Sequence, residues 1–127
     1  MLVLDTNVLI EMERKDSRVI EKLARLWKNF PGNLFITSAV YAEFLFGFLK
    51  IGKEQAVEKY LHGLEVLNFD LKSAKIFAIM KKSMEDSGRI IPIFDLVTAC
   101  IVSSNNATLI TFDRHFEGIP NLKTIFL

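Results

Sequence analysis

Apolar positions along this chain fall into short continuous runs separated by helical stripes. Leu2, Val3 and Leu4 run into Asp5, and an apolar run ended by a turn-prone polar group predicts a buried parallel strand feeding a helix. The strand is assigned to residues 1–5, and a short helix over 7–14 follows, with Thr6 as its cap. From Asp16 or Ser17, the residues Val19, Ile20, Leu23, Leu26, Trp27 and Phe30 share one helical face, and Pro31-Gly32-Asn33 ends that helix. Leu34-Phe35-Ile36 reads as a second strand, after which Thr37 or Ser38 caps a helix over 39–50. Gly52 separates it from an amphipathic helix over 53–62, and residues 64–69 alternate enough to form a third strand. Asp70 caps a helix over 71–87, closed by Ser87-Gly88. Pro92 argues against a central strand, leaving an extended lead-in to a buried helix over 95–104. Strands over 107–111 and 123–126 flank a helical turn at 114–117. Strands and helices alternating at these lengths predict an α/β fold in three layers: a central parallel sheet of four to five strands, helix-covered on both faces. At 127 residues, a single domain over 1–127 is expected.

Two stretches depart from ordinary patterning. From Leu34 to Leu49 there is one charge in sixteen residues, Glu43, and from Ile90 to Val102 there is one in thirteen, Asp95. In the first, Phe44 and Phe48 share a face while Phe46 points nearly the other way. A helix that is apolar all round must be buried all round, and so small a chain has little interior to cover it. Part of this helix is therefore expected to meet a partner chain or a second copy.

Of fifteen acidic residues, eleven lie in charged or polar surroundings. Asp5, Glu43 and Asp95 are solitary in apolar runs, and Asp113 ends a buried strand. Asp5 and Asp113 stand at the carboxyl ends of strands, where ligands bind in wound α/β sheets. If the helices carrying Glu43 and Asp95 begin at that same edge, all four carboxylates meet in one pocket. Four carboxylates cannot stay ionised together without a cation, because each raises its neighbours' pKa. A donor set of oxygens alone suits Mg²⁺ or Mn²⁺, which could activate water for in-line attack on a phosphodiester. Each acid also has a plainer reading. Asp5 and Asp95 suit helix caps and Asp113 suits an Asx turn, whereas a mid-helix Glu43 among phenylalanines has no such role.

Charge narrows the choice little. Sixteen basic residues against fifteen acidic give a net charge of +1, which gives no bulk support for non-specific nucleic-acid or membrane binding. A local rim of Lys50, Lys53, Lys81, Lys82 and Arg89 could still face RNA. A lone Cys100 in an apolar stretch rules out an internal disulfide and reads as core. The start of the chain has no basic leader pattern, and no apolar run reaches the roughly 20 residues of a membrane span, so a cytoplasmic protein is expected. His115 is expected to pack or hydrogen-bond, and Arg114 to pair with a local acid.

The motifs Leu4-Asp5-Thr6-Asn7, Ser38-Ala39-Val40-Tyr41-Ala42-Glu43 with Gly47 after it, Ile93-Phe94-Asp95-Leu96-Val97-Thr98-Ala99 and Thr111-Phe112-Asp113-Arg114-His115-Phe116 occur in this order across the chain. In order and spacing the sequence resembles the PIN-domain ribonucleases, and among them the VapC-type toxins of toxin–antitoxin pairs. The resemblance implies an Mg²⁺- or Mn²⁺-dependent endoribonuclease acting as a homodimer and restrained by a small VapB-like antitoxin. It places Asp5 and Asp95 as direct metal ligands, and Asp113 as a ligand or bound through water. Glu43 acts through water or positions the substrate, with Thr6, Asn7 and Thr111 in support. Two other readings compete: a non-catalytic RNA-binding or interaction module on the same fold, and an aspartyl-nucleophile phosphatase. The phosphatase would want a second Asp where Asn7 stands.

Overall fold

Residues alternate in direction along a strand, so a buried strand must satisfy two cores at once. β1 (Leu2–Leu4) does this with three residues, all buried. Leu2 and Leu4 point to one face, and Val3 points to the other. A computed structural model describes residues 1–127 and places β1 at the centre of a five-stranded sheet. The other strands are β2 (Leu34–Thr37), β3 (Glu65–Leu67), β4 (Thr108–Thr111) and β5 (Lys123–Phe126). All pairings are parallel, in the order β3-β2-β1-β4-β5. β1 is thus the strand from which the chain winds outward to both sides. Such a switch point opens a crevice at the carboxyl ends of the strands on either side of it.

Helices α1 (Thr6–Glu13), α2 (Ser17–Asn29), α3 (Ser38–Lys50) and α4 (Val57–Leu61) cover one face. Val8, Val19, Leu23, Val40, Phe44, Val57 and Leu61 pack there onto Leu2, Leu4, Ile36 and Ile110. Helices α5 (Leu71–Asp86) and α6 (Ile93–Ser104) cover the other, where Met80, Met84, Leu96, Ala99 and Cys100 meet Val3 and Leu109. These are the three layers read from the sequence, with five strands. Cys100 is fully buried, and burial pushes its thiol up to about 12, which leaves it an inert core residue.

Helix starts follow local hydrogen bonding. Asp16 accepts the amides of Arg18 and Val19, Thr37 that of Val40, and Asp70 that of Ser73. Three sequence expectations need correction. Asp5, not Thr6, caps α1, because its carboxylate accepts the Thr6 amide and Thr6 itself is already helical. The amphipathic segment after Gly52 is not one helix over 53–62. It is a 3₁₀ turn, Glu54–Ala56, followed by α4, which stops at Leu61 because His62 is extended and Gly63 takes φ +82°. The buried helix near Asp95 begins at Ile93, with Pro92 just outside it. No helix is long and apolar enough to cross a membrane.

The aromatic residues of α3 divide as its sequence pattern demands. Phe44 is buried and stacks against Phe48 with ring centroids 5.0 Å apart. Phe46 and Leu49, on the opposite face, are 60% and 51% exposed.

Candidate active site

The carboxyl edge of the sheet gathers four segments. Asp5 follows β1 and Asp113 follows β4, its immediate neighbour. α3 springs directly from β2 and places Glu43 in its second turn. α6 ends beside the start of β4, at the opposite edge, so its first turn with Asp95 lies at the carboxyl edge.

Asp5 is 6% exposed and holds its place through both oxygens. Oδ1 accepts the Thr6 amide at 2.9 Å, and Oδ2 accepts the Thr111 hydroxyl at 2.6 Å. The same Thr111 oxygen accepts the Asp113 amide at 2.9 Å, so one fully buried hydroxyl joins the ends of β1 and β4. The Thr6 hydroxyl reaches Oε1 of Glu43 at 3.3 Å. On the far side of the pocket, the buried hydroxyls of Thr37 and Thr98 lie 3.2 Å apart and fasten the start of α3 to α6. Asp113 Oδ1 accepts the His115 amide at 2.8 Å and caps the 3₁₀ turn Arg114–Phe116. Arg89 in turn donates to the backbone carbonyls of His115 and Glu117.

The four acids feel one another. Asp95 is raised to about 6, first by burial and then by the charges of Asp5, Asp113 and Glu43, with His115 opposing. Burial also raises Asp5, against hydrogen bonds from Thr111 and Thr6, and the Asp113 charge raises it further. Glu43 is raised by burial and by Asp5, with Thr6 opposing. None of the four lies within ion-pair distance of a Lys or Arg; the sole basic side chain that close to any of them is His115. Crowded carboxylates with no fixed counter-charge, offering hard oxygen donors, fit a divalent cation such as Mg²⁺ or Mn²⁺. Asp95, Asp113 and His115 each present one ligand atom, all within 4.8 Å of one another.

The structure therefore brings Asp5, Glu43, Asp95 and Asp113 together, with Thr6 and Thr111 bonded to them. Asn7 stands apart from these bonds. Its Oδ1 is buried without a partner, and the residue lines a neighbouring cavity with Glu11, Arg18 and Phe112. The proposed basic rim is largely engaged elsewhere: Lys81 pairs with Glu85, Lys82 with Asp86, Lys50 lies over the Phe46 ring, and Arg89 is bound to carbonyls. Arg114 does pair with a local acid, Glu117, at 3.5 Å.

A wound parallel sheet with an acidic crevice at its switch point is the α/β architecture in which ligands bind at the carboxyl ends of the strands. The chain belongs to the PIN-domain family, whose model matches residues 2–122. It is 30% identical to ribonuclease VapC2 of Rickettsia felis, over 94% of this chain and 92% of that one. It is 28% identical to ribonuclease VapC2 of Haemophilus influenzae, over 96% and 94%. Among solved structures it superposes on VapBC2 of Rickettsia felis bound to a promoter DNA fragment, with a TM-score of 0.86, 28% identity and coverage of 98% and 97%. VapBC-1 of nontypeable Haemophilus influenzae gives a TM-score of 0.83, 25% identity and coverage of 98% and 96%.

Three residues named in the sequence take positions there that the sequence did not assign. Thr98 closes the third motif without a role until β2 places Thr37 beside it. Arg89 looks like a surface cation until its carbonyl partners are known. The imidazole of His115 looks like a turn side chain until α6 brings Asp95 to it.

Proposed function

We propose that this chain is a divalent-cation-dependent endoribonuclease, the toxin of a VapBC-type toxin–antitoxin pair. The observation that carries the reading is the convergence of Asp5, Glu43, Asp95 and Asp113 without a Lys or Arg to balance them, in a PIN-family chain that aligns with ribonuclease relatives over nearly its whole length.

Asp95 and Asp113 would hold the cation, Mg²⁺ or Mn²⁺, since their carboxylates carry no hydrogen bond from a buried hydroxyl and each offers an oxygen within 4.8 Å of the other's. Asp5, anchored through both oxygens, retains a free lone pair on each and closes the floor of the site. A cation held there would supply Lewis-acid activation of water and neutralise charge developing on the phosphodiester. Glu43, half-buried and held by Thr6, is the group placed to orient the attacking water and take its proton. Thr111 keeps Asp5 and Asp113 at a fixed separation. The products carry a 5′-phosphate and a 3′-hydroxyl.

The partners follow the same family logic. The named complexes of the relatives support a VapB-like antitoxin for this chain. The cleft that holds Glu43, lined by Ile10, Phe44 and Tyr60 together with Glu13, Arg14 and Lys53, gives such a segment a mixed apolar and charged seat. The exposed Phe46 and Leu49 of α3 suit a homodimer contact. The test is cleavage of a mixed RNA substrate by purified protein with Mg²⁺ or Mn²⁺. Wild type cuts, and Asp5→Asn and Asp95→Asn protein of unchanged circular dichroism does not. Equal cleavage by folded Asp95→Asn protein would overturn the reading.

A further inference from the structure

His115 lies beside the acids but belongs to none of the roles above. Its ring is 63% exposed, so packing does not explain its position. Nδ1 lies 3.0 Å from Asp113 Oδ1, 3.2 Å from Asp113 Oδ2 and 4.0 Å from Asp95 Oδ2. A contact with Asp113 two residues earlier is ordinary turn geometry. The approach to Asp95 is not, because Asp95 belongs to α6 and nothing in the turn itself directs the ring there.

The distances have a simple meaning. Around an octahedral ion with bonds of about 2.1 Å, adjacent ligand atoms stand about 3.0 Å apart and opposite ones about 4.2 Å apart. Nδ1 to Asp113 matches the edge of that octahedron, and Nδ1 to Asp95 falls just inside its diagonal. The backbone that carries the ring is held on two sides. The His115 amide donates to Asp113 at 2.8 Å, and Arg89 donates to the His115 carbonyl at 2.8 Å and to that of Glu117. Gly118 (φ +74°) follows directly, and a Cβ there would stand 3.3 Å from the Arg89 guanidinium. The clamp on the turn is thus close-fitting.

We propose that His115 is a cation ligand through Nδ1, joining Asp95 and Asp113 in one ligand set, and that Arg89 positions it. The proposal rests on the reading of the pocket as a cation site. A neutral imidazole with its proton on Nε2 offers the Nδ1 lone pair to a cation, in place of the contact Nδ1 makes with Asp113 here. An imidazole ligand biases the site toward Mn²⁺ and away from Mg²⁺, which prefers oxygen and water. His115 thereby sets the metal preference of this chain.

Pulsed electron paramagnetic resonance of Mn²⁺ bound to untagged full-length protein tests this directly. The wild-type spectrum is expected to carry ¹⁴N modulation from one directly bound imidazole. His115→Ala abolishes it and weakens Mn²⁺ binding at least about tenfold, with Mg²⁺ binding changed by less than about threefold. The other histidine, His62, precedes β3 at the opposite edge of the sheet, and His62→Ala leaves the modulation intact. Arg89→Ala retains the cation but broadens or weakens the nitrogen coupling, and Arg89→Lys restores part of it. Mn²⁺ bound tightly by wild type and lost in Asp95→Asn, yet without nitrogen modulation, would overturn the role of His115 and leave the cation site standing. Mn²⁺ bound equally by wild type and Asp95→Asn would overturn both.

Discussion

Glu85 and Asp86 sit on the outer face of α5, four residues beyond Lys81 and Lys82, and pair with them at 3.1 and 2.7 Å. Glu21 and Arg25 do the same on α2. Each charge is balanced by a neighbour on its own helix and by water. Asp5, Glu43 and Asp95 lie at the carboxyl edge of the sheet under the opposite regime. They come from three distant segments, lose solvent, face one another and have no lysine or arginine, so all three are raised. Surface acids of this protein serve solubility and add little stability. Those at the edge cost stability that the surrounding fold must outweigh, as expected where chemistry rather than folding fixes the residue.

Neutralising the edge removes its chemistry first. Asp5→Asn and Asp95→Asn are expected to lower RNA cleavage on the order of 10²- to 10³-fold, measured as single-turnover rates with protein in excess. Thr111→Val comes next. It removes the hydroxyl shared by Asp5 and Asp113 and leaves a buried carboxylate short of a donor, a loss of about 1–3 kcal/mol in urea unfolding. Thr111→Ser keeps most of that stability.

The pH response is smaller and has a definite sign. The folded-state pKa of Asp95 stands near 6, above its ordinary 3.8, so the folded protein binds this proton more tightly than the unfolded chain. Cation-free stability therefore falls as pH rises from about 4 to about 6 and stays low above that. The full shift corresponds to a ceiling of roughly 3 kcal/mol, and partial exposure of the group reduces it to about 1–2. Asp95→Asn should flatten this limb of the pH–stability curve and, without metal, melt higher than wild type at pH 7. On the balanced side of the comparison, Lys82→Ala should move the melting midpoint by less than about 3 °C and leave cleavage unchanged.

Much of this contrast can be read from the chain itself. Asp5, Glu43 and Asp95 stand out because each interrupts an apolar run, and the strand–helix alternation locates the edge where they meet. What escapes a linear reading depends on pairing. The order of strands around β1 decides that Asp5 and Asp113 are neighbours, and no residue announces that order. The Thr37–Thr98 contact spans sixty-one positions. Asp5 caps its helix and also stands among the clustered acids, so the capping reading does not exclude the other. Nothing in the sequence announces that Arg89 donates to the carbonyls of His115 and Glu117, or that α6 brings Asp95 near the His115 ring.

The central claim is that the carboxyl edge lacks a counter-charge that a divalent cation supplies. Thermal unfolding at pH 7.5 across a series of Mn²⁺ and Mg²⁺ concentrations, for wild type and Asp95→Asn side by side, tests it most directly. A ligand that binds only the folded state raises the midpoint with the logarithm of its concentration. Wild type is predicted to climb steadily from a cation-free midpoint below that of the variant, while Asp95→Asn stays nearly flat. Two parallel curves, or two flat ones, would contradict the account.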